Sequence, residues 1–162
     1  MPVIDDLLAA NAKHAAVHRM GAPVAPRKKL AVVACMDARL DVFRALGLEP
    51  GDAHVIRNAG GVVTDDVLRS LVVSQQVLGT ESVMLIHHTG CGLLGLDEAG
   101  VLAAVERQTG ERPPMRLGAF GDLDEDVHNS LARVRSAPYL PHRDQVRGFV
   151  YDVTSGLLRE VR

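Results

Sequence analysis

The 162 residues carry 20 acidic and 18 basic side chains, a formal charge of −2, and no basic run longer than Arg27-Lys28-Lys29, which argues against a nucleic-acid or anionic-membrane partner. Apolar residues make up 47% but aromatics only 3%, so the core has to be assembled from Val, Leu, Ile and Ala. At this length one domain over 1–162 is expected, and no apolar stretch approaches the roughly 18 residues of a membrane span.

From Ile4 to Met20 apolar residues recur at Ile4, Leu7, Leu8, Ala12, Ala15 and Ala16, the spacing of an amphipathic helix. Gly21 to Pro26 breaks it, because proline cannot continue a helix and restricts the residue before it. Residues 1–28 therefore read as a tethered arm whose apolar stripe needs a surface to cover it, a second subunit being one candidate. Leu30–Cys35 is an unbroken apolar run and reads as a buried strand. A short helix over Leu40–Leu46 closes at Gly47, and His54–Arg57 is a second strand. Thr64 caps a helix reaching Leu78, with Asp65 and Asp66 at its positive end and Gly79 terminating it. Ser82–His87 is the third strand. Asp97–Gln108 and Leu123–Arg135 are helices, separated by a loop with Pro113 and Pro114. Gly148–Val153 and Leu157–Val161 flank Thr154-Ser155-Gly156 as a hairpin.

This alternation predicts an α/β fold. Its sheet is mostly parallel, covered by helices on both faces, with an antiparallel edge strand at the C-terminus. Such sheets bind ligands at the carboxyl ends of their strands. Cys35 ends the first strand and His88 follows the third, so two short clusters meet on that rim: Cys35-Met36-Asp37-Ala38-Arg39 and His88-Thr89-Gly90-Cys91.

Two thiolates and one imidazole are donors that Zn²⁺ prefers, and three protein ligands leave one of its four positions open. In extended backbone Cys35, Asp37 and Arg39 point the same way, putting a carboxylate and a guanidinium beside the thiolate. A helix starting at Cys91 would favour its thiolate, and Gly90 and Gly92 let the backbone approach closely. His87 competes with His88; it is read as a packing or supporting residue, with the turn after the strand selecting His88. A closed structural site with Asp37 as fourth ligand uses the same residues. Two cysteines make no disulfide framework, and the acidic start has no export signal, so a reducing, cytoplasmic compartment is expected.

Cys-x-Asp-x-Arg after the first strand, Arg57-Asn58-Ala59-Gly60-Gly61 after the second and His-x-x-Cys-Gly after the third keep one order and spacing from Leu30 to Gly95. In this the chain resembles the beta-class carbonic anhydrases, and its shortness is most similar to a compact mycobacterial subgroup. The resemblance implies Zn²⁺ held by Cys35, His88 and Cys91, with Asp37 and Arg39 as a dyad beside the metal. It implies reversible hydration of carbon dioxide to bicarbonate and a proton by a zinc-bound hydroxide, in a pocket walled by Asn58, Ala59, Gly60 and Gly61. Val62, Val63 and Leu93 are candidates for the apolar cleft. It also implies a homodimer, and a closed state in which Asp37 takes the fourth zinc position at lower pH.

Carbonyl sulfide or carbon disulfide hydrolysis on the same scaffold is the rival chemistry. A non-catalytic zinc-binding dimer is the rival of another class, against which Arg39 speaks, since a purely structural site needs no guanidinium. The tryptophan that some bacterial members use to bind regulatory bicarbonate is absent, and the aromatic and glutamine pocket lining of plant-type members has no counterpart in the motifs. His14, His18, His54, His128 and His142 read as surface histidines, not as a named proton relay. Arg57 reads as a pocket cation or as an ion-pair partner in the dimer interface, the interface being slightly favoured.

Overall fold

A computed structural model describes residues 2–18, 21 and 23–162. Its strands are β1 (Leu30–Cys35), β2 (Ala53–Asn58), β3 (Ser82–His88), β4 (Val146–Tyr151) and β5 (Leu158–Val161). They form one sheet in the order β2-β1-β3-β4-β5. β1 pairs in parallel with β2 and β3, β3 in parallel with β4, and β5 returns antiparallel to β4. The unbroken apolar run of β1 is what a central parallel strand needs: Ala31 to Ala34 are all 0% exposed.

The helices are α1 (Pro2–Val17), α2 (Val42–Leu46), α3 (Asp65–Gln76), α4 (Glu98–Thr109) and α5 (Leu123–Arg135). Val67, Leu68 and Leu71 of α3 and Val127, Leu131 and Val134 of α5 pack on Ala31, Val33, Val83, Leu85, Val146 and Val150. Burying one such Leu contributes roughly 1.5–3 kcal/mol, so this face carries the core. Gly148 lets α5 lie close on β4, because a Cβ there would stand 2.3 Å from Val127 Cγ1.

The other face departs from expectation. Val32, Ala34 and Ile86 are covered by Leu40 and Val42, with α2 the one helix packed there among the described residues, and Leu30, Met84, Tyr151 and Leu158 remain partly open. The other helices leave it open: α4 buries no residue, and α1 is exposed from Val3 to Val17. Val3, Ile4, Leu7 and Leu8 of α1 keep their apolar stripe uncovered. The expected extension of this helix to Met20 falls outside the described residues.

Element ends moved for identifiable reasons. Thr64 caps α3 through its side-chain oxygen, accepting from Val67 N–H, but the helix stops at Gln76, and Leu78 N–H doubles back to Val73 C=O. β4 begins earlier and ends at Tyr151, because Asp152 turns the chain. Its Oδ1 accepts from the N–H groups of Thr154 and Ser155, and its carbonyl accepts from Gly156 N–H. That Asx-type turn makes the β4–β5 hairpin. Among the described residues no helix is long and apolar enough to cross a membrane.

Candidate metal centre

β1 and β3 are adjacent parallel strands, and their carboxyl ends bring the two clusters together. A ligand atom from each of Cys35, His88 and Cys91 lies within 4.8 Å of the others, and all three residues are buried. The cysteines are free thiols. His88 is the last residue of β3, paired with Tyr151, so strand alternation and not a turn sets its direction. His87 accordingly faces the opposite way: its Nε2 lies 2.6 Å from Asp126 Oδ2 on α5, and its ring packs near Phe120.

His88 Nδ1–H donates to the Thr89 carbonyl at 3.0 Å, since a carbonyl can only accept. That leaves Nε2 as a bare lone pair. It is fully buried and has no hydrogen-bond partner. An orphaned imidazole nitrogen between two thiols is costly unless something else binds it. Burial pushes the Cys91 thiol up, and the neighbouring Cys35 adds to this, while the N–H groups of Leu93 and Leu94 pull it down. Two thiols crowded in a buried site need a cation to ionise together. The donor set, two sulfurs and one nitrogen, therefore fits zinc.

Cys91 does not open a helix as expected. α4 starts at Glu98, capped by Asp97, and Cys91 sits in the preceding turn. The N–H groups of Leu93 and Leu94 supply by local geometry what a helix end would have supplied.

Asp37 and Arg39 also differ from an extended row. The chain turns after Cys35: Asp37 Oδ1 accepts from Arg39 N–H at 2.8 Å, and the Asp37 carbonyl accepts from Leu40 N–H at 3.0 Å. The turn folds Arg39 back onto the carboxylate it follows. Its Nε–H and Nη2–H donate to Asp37 Oδ1 and Oδ2 at 2.9 and 2.7 Å, the bidentate geometry of a strong charged pair. Hydrogen bonds from the Arg39 side chain, then from its backbone N–H, hold the Asp37 carboxyl well below the usual carboxylate range. Nη2 also donates to Gly90 C=O at 3.0 Å, so Arg39 ties the two clusters to each other. Asp37 Oδ2 stands 3.6 Å from His88 Nε2.

The Asn58–Gly61 loop follows β2 and tucks against the ends of β1 and β3. A Cβ on Gly61 would meet Cys35 N at 2.7 Å and Ile86 O at 3.0 Å, and its φ of +71° is one that L side chains rarely adopt. Gly60 lies against Leu93 and Phe120, and Asn58 Nδ2–H donates to Val62 C=O. Val62 and Val63 line a cavity of about 430 Å³ with Asp126 and Arg133, whose lining includes none of the three donors. His54 bonds Ser74 Oγ through Nδ1.

Sequence reasoning missed Thr89, whose carbonyl sets the His88 tautomer, and Gly90, whose carbonyl anchors Arg39; backbone groups leave no mark on a sequence. Within the described residues of this chain the Arg57 guanidinium forms no ion pair and donates to the carbonyls of Cys35 and Asp37.

The carbonic anhydrase family profile matches residues 30–158. Beta-carbonic anhydrase 1 of Mycobacterium tuberculosis is 48% identical over 161 residues, covering 99% of each chain. A carbon disulfide hydrolase of Acidithiobacillus thiooxidans is 34% identical, over 87% of this chain and 80% of its own. The crystal structure of a carbonic anhydrase from Streptococcus mutans superposes with a TM-score of 0.93 at 39% identity, over 100% of this chain and 99% of that one. Likeness of this degree from α1 to β5 is shared descent: the chain belongs to the carbonic anhydrase family, within its beta class.

Proposed function

We propose that this protein is a zinc enzyme that interconverts carbon dioxide and bicarbonate, with Cys35, His88 and Cys91 holding the metal. The convergence of those donors around an orphaned His88 Nε2 carries the proposal. Zinc held there supplies Lewis acidity, enough to bring the pKa of water from about 16 toward about 7.

The chain supplies the rest. Asp37, kept ionised by Arg39, accepts a hydrogen bond from the attacking water and so fixes which lone pair faces the carbon. Arg39 keeps the carboxylate charged and holds both of its oxygens in one orientation. Gly61 brings backbone against Cys35, and Gly60 lies against Leu93; with Asn58 and Ala59 they would wall the pocket, and an apolar approach past Leu93 suits a small apolar substrate. Were Arg39 to release Asp37, the carboxylate, already close to His88 Nε2, would turn inward and close the site. Activity should rise with pH through neutrality, because the attacking water must lose a proton and does so more readily as pH increases.

Carbon disulfide is the second reading, favoured by the Acidithiobacillus relative, but that likeness is weaker and covers less of both chains than the mycobacterial one. Stopped-flow carbon dioxide hydration across pH, run beside hydrogen sulfide release from carbon disulfide and carbonyl sulfide, decides between them. Hydration should dominate; sulfide release without hydration would reverse the assignment.

A homodimer belongs to the proposal. The uncovered stripe of α1 and the open sheet face around Leu30, Met84 and Leu158 are two apolar surfaces that a partner copy would bury. A single domain and a cytoplasmic location, where free thiols persist, complete it.

A further inference from the structure

β1 leaves the sheet at the point where its chemistry begins. The parallel register ends at Cys35 opposite Asn58, and Met36 N–H donates to Asn58 C=O at 2.8 Å as the last backbone link. Past that link no strand holds the segment. Arg57, one residue back on β2, takes over with its side chain. Its Nε–H donates to Cys35 C=O at 2.9 Å and its Nη2–H to Asp37 C=O at 2.7 Å.

The two carbonyls lie either side of Met36, so one rigid guanidinium fixes the spacing between a candidate metal ligand and the dyad carboxylate. Asp37 is thus gripped twice: at its carboxylate by Arg39 and at its carbonyl by Arg57. A lysine, whose three N–H donors share one nitrogen on a flexible stem, lacks the rigid fork that sets the spacing of the two carbonyls.

We propose that Arg57 is a positioning residue that aims the Asp37 carboxylate and the Cys35 thiol by clamping the backbone between them. The inference rests on the carbonic anhydrase reading given above.

The test is a double-mutant cycle on the zinc-loaded, full-length protein, with Arg57→Gln and Arg57→Lys each made alone and combined with Asp37→Asn. Loosening the clamp should lower kcat about 10- to 100-fold with KM little changed. In the Asp37→Asn background the same change should cost under about twofold, because the group being aimed is gone. Chelator-driven zinc release should also quicken in both Arg57 variants, a readout independent of turnover. Should Arg57→Gln fail to fold, Arg57→Lys, which keeps the charge, reads the same cycle. Equal losses in both backgrounds, or unchanged kcat and zinc release in both variants, would overturn the proposal. A parent chain that does not hydrate carbon dioxide would instead sink the underlying reading, and zinc release alone would then decide whether Arg57 clamps the site.

Discussion

Asp37 is the residue on which chemistry and geometry meet. Substituting asparagine keeps the size but removes the charge that Arg39 grips from two nitrogens. Asp37→Asn should retain its zinc while kcat falls about 100-fold, the scale of losing one preorganised hydrogen-bonding group at a reacting centre. Metal analysis and stopped-flow hydration on the same preparation check this; intact turnover would remove Asp37 from the mechanism. The pair was legible in the sequence because both residue types stood at the right separation after a strand. Its form was not. An extended row and a tight turn both bring positions 37 and 39 to one side, and only the bond from Arg39 N–H to Asp37 Oδ1 distinguishes them. His88 shows the reverse: strand alternation, not a turn, sets it beside Cys35 and Cys91 and points His87 the other way.

At the scale of elements, the Gly60-Gly61 turn seats β2's loop against β1 and β3. Gly61→Ala should destabilise the chain by about 3 kcal/mol, since the atoms its Cβ would strike are strand backbone that cannot move aside. Gly47→Ala is the matched control. It has a similar φ of +61° but nothing within 4 Å, so it should cost only about 1–2 kcal/mol. Urea midpoints of the two variants compare them, and equal losses would show that strain, not contact, governs the loop. Strand order and edge direction follow from the alternation of apolar runs and breakers along the chain. The open sheet face does not, because periodicity says that a helix has an apolar stripe without saying which copy of the chain it covers. Removing residues 2–17 should accordingly turn the homodimer proposed above into monomer in sedimentation experiments. A truncated chain that stays dimeric would assign the interface elsewhere.

Across the whole molecule, carboxylates are held below their ordinary pKa by neighbouring donors: Asp52 by Glu49 N–H and Arg27, Glu81 by Lys29, Asp124 by Arg159 and Glu160 by Arg147. A depressed carboxylate binds protons more readily when unfolded, so its stabilisation is complete above the ordinary values of 3.8 to 4.5 and is lost as pH falls through the folded value. His54 has the same sign. Burial lowers it from 6.5, so its contribution starts to fade as pH drops below that value. The urea midpoint should decline gently below about pH 6.5 and steeply below about pH 4.5. A midpoint unchanged down to about pH 3 would show that these pairs do not distinguish the folded chain from the unfolded one.

The centre itself is tested most directly by counting metal. Protein purified without added zinc should carry about one zinc ion per chain, and Cys91→Ser should carry almost none. A metal-free parent that still hydrates carbon dioxide, or a Cys91→Ser variant that keeps its full zinc, would contradict the assignment of Cys35, His88 and Cys91.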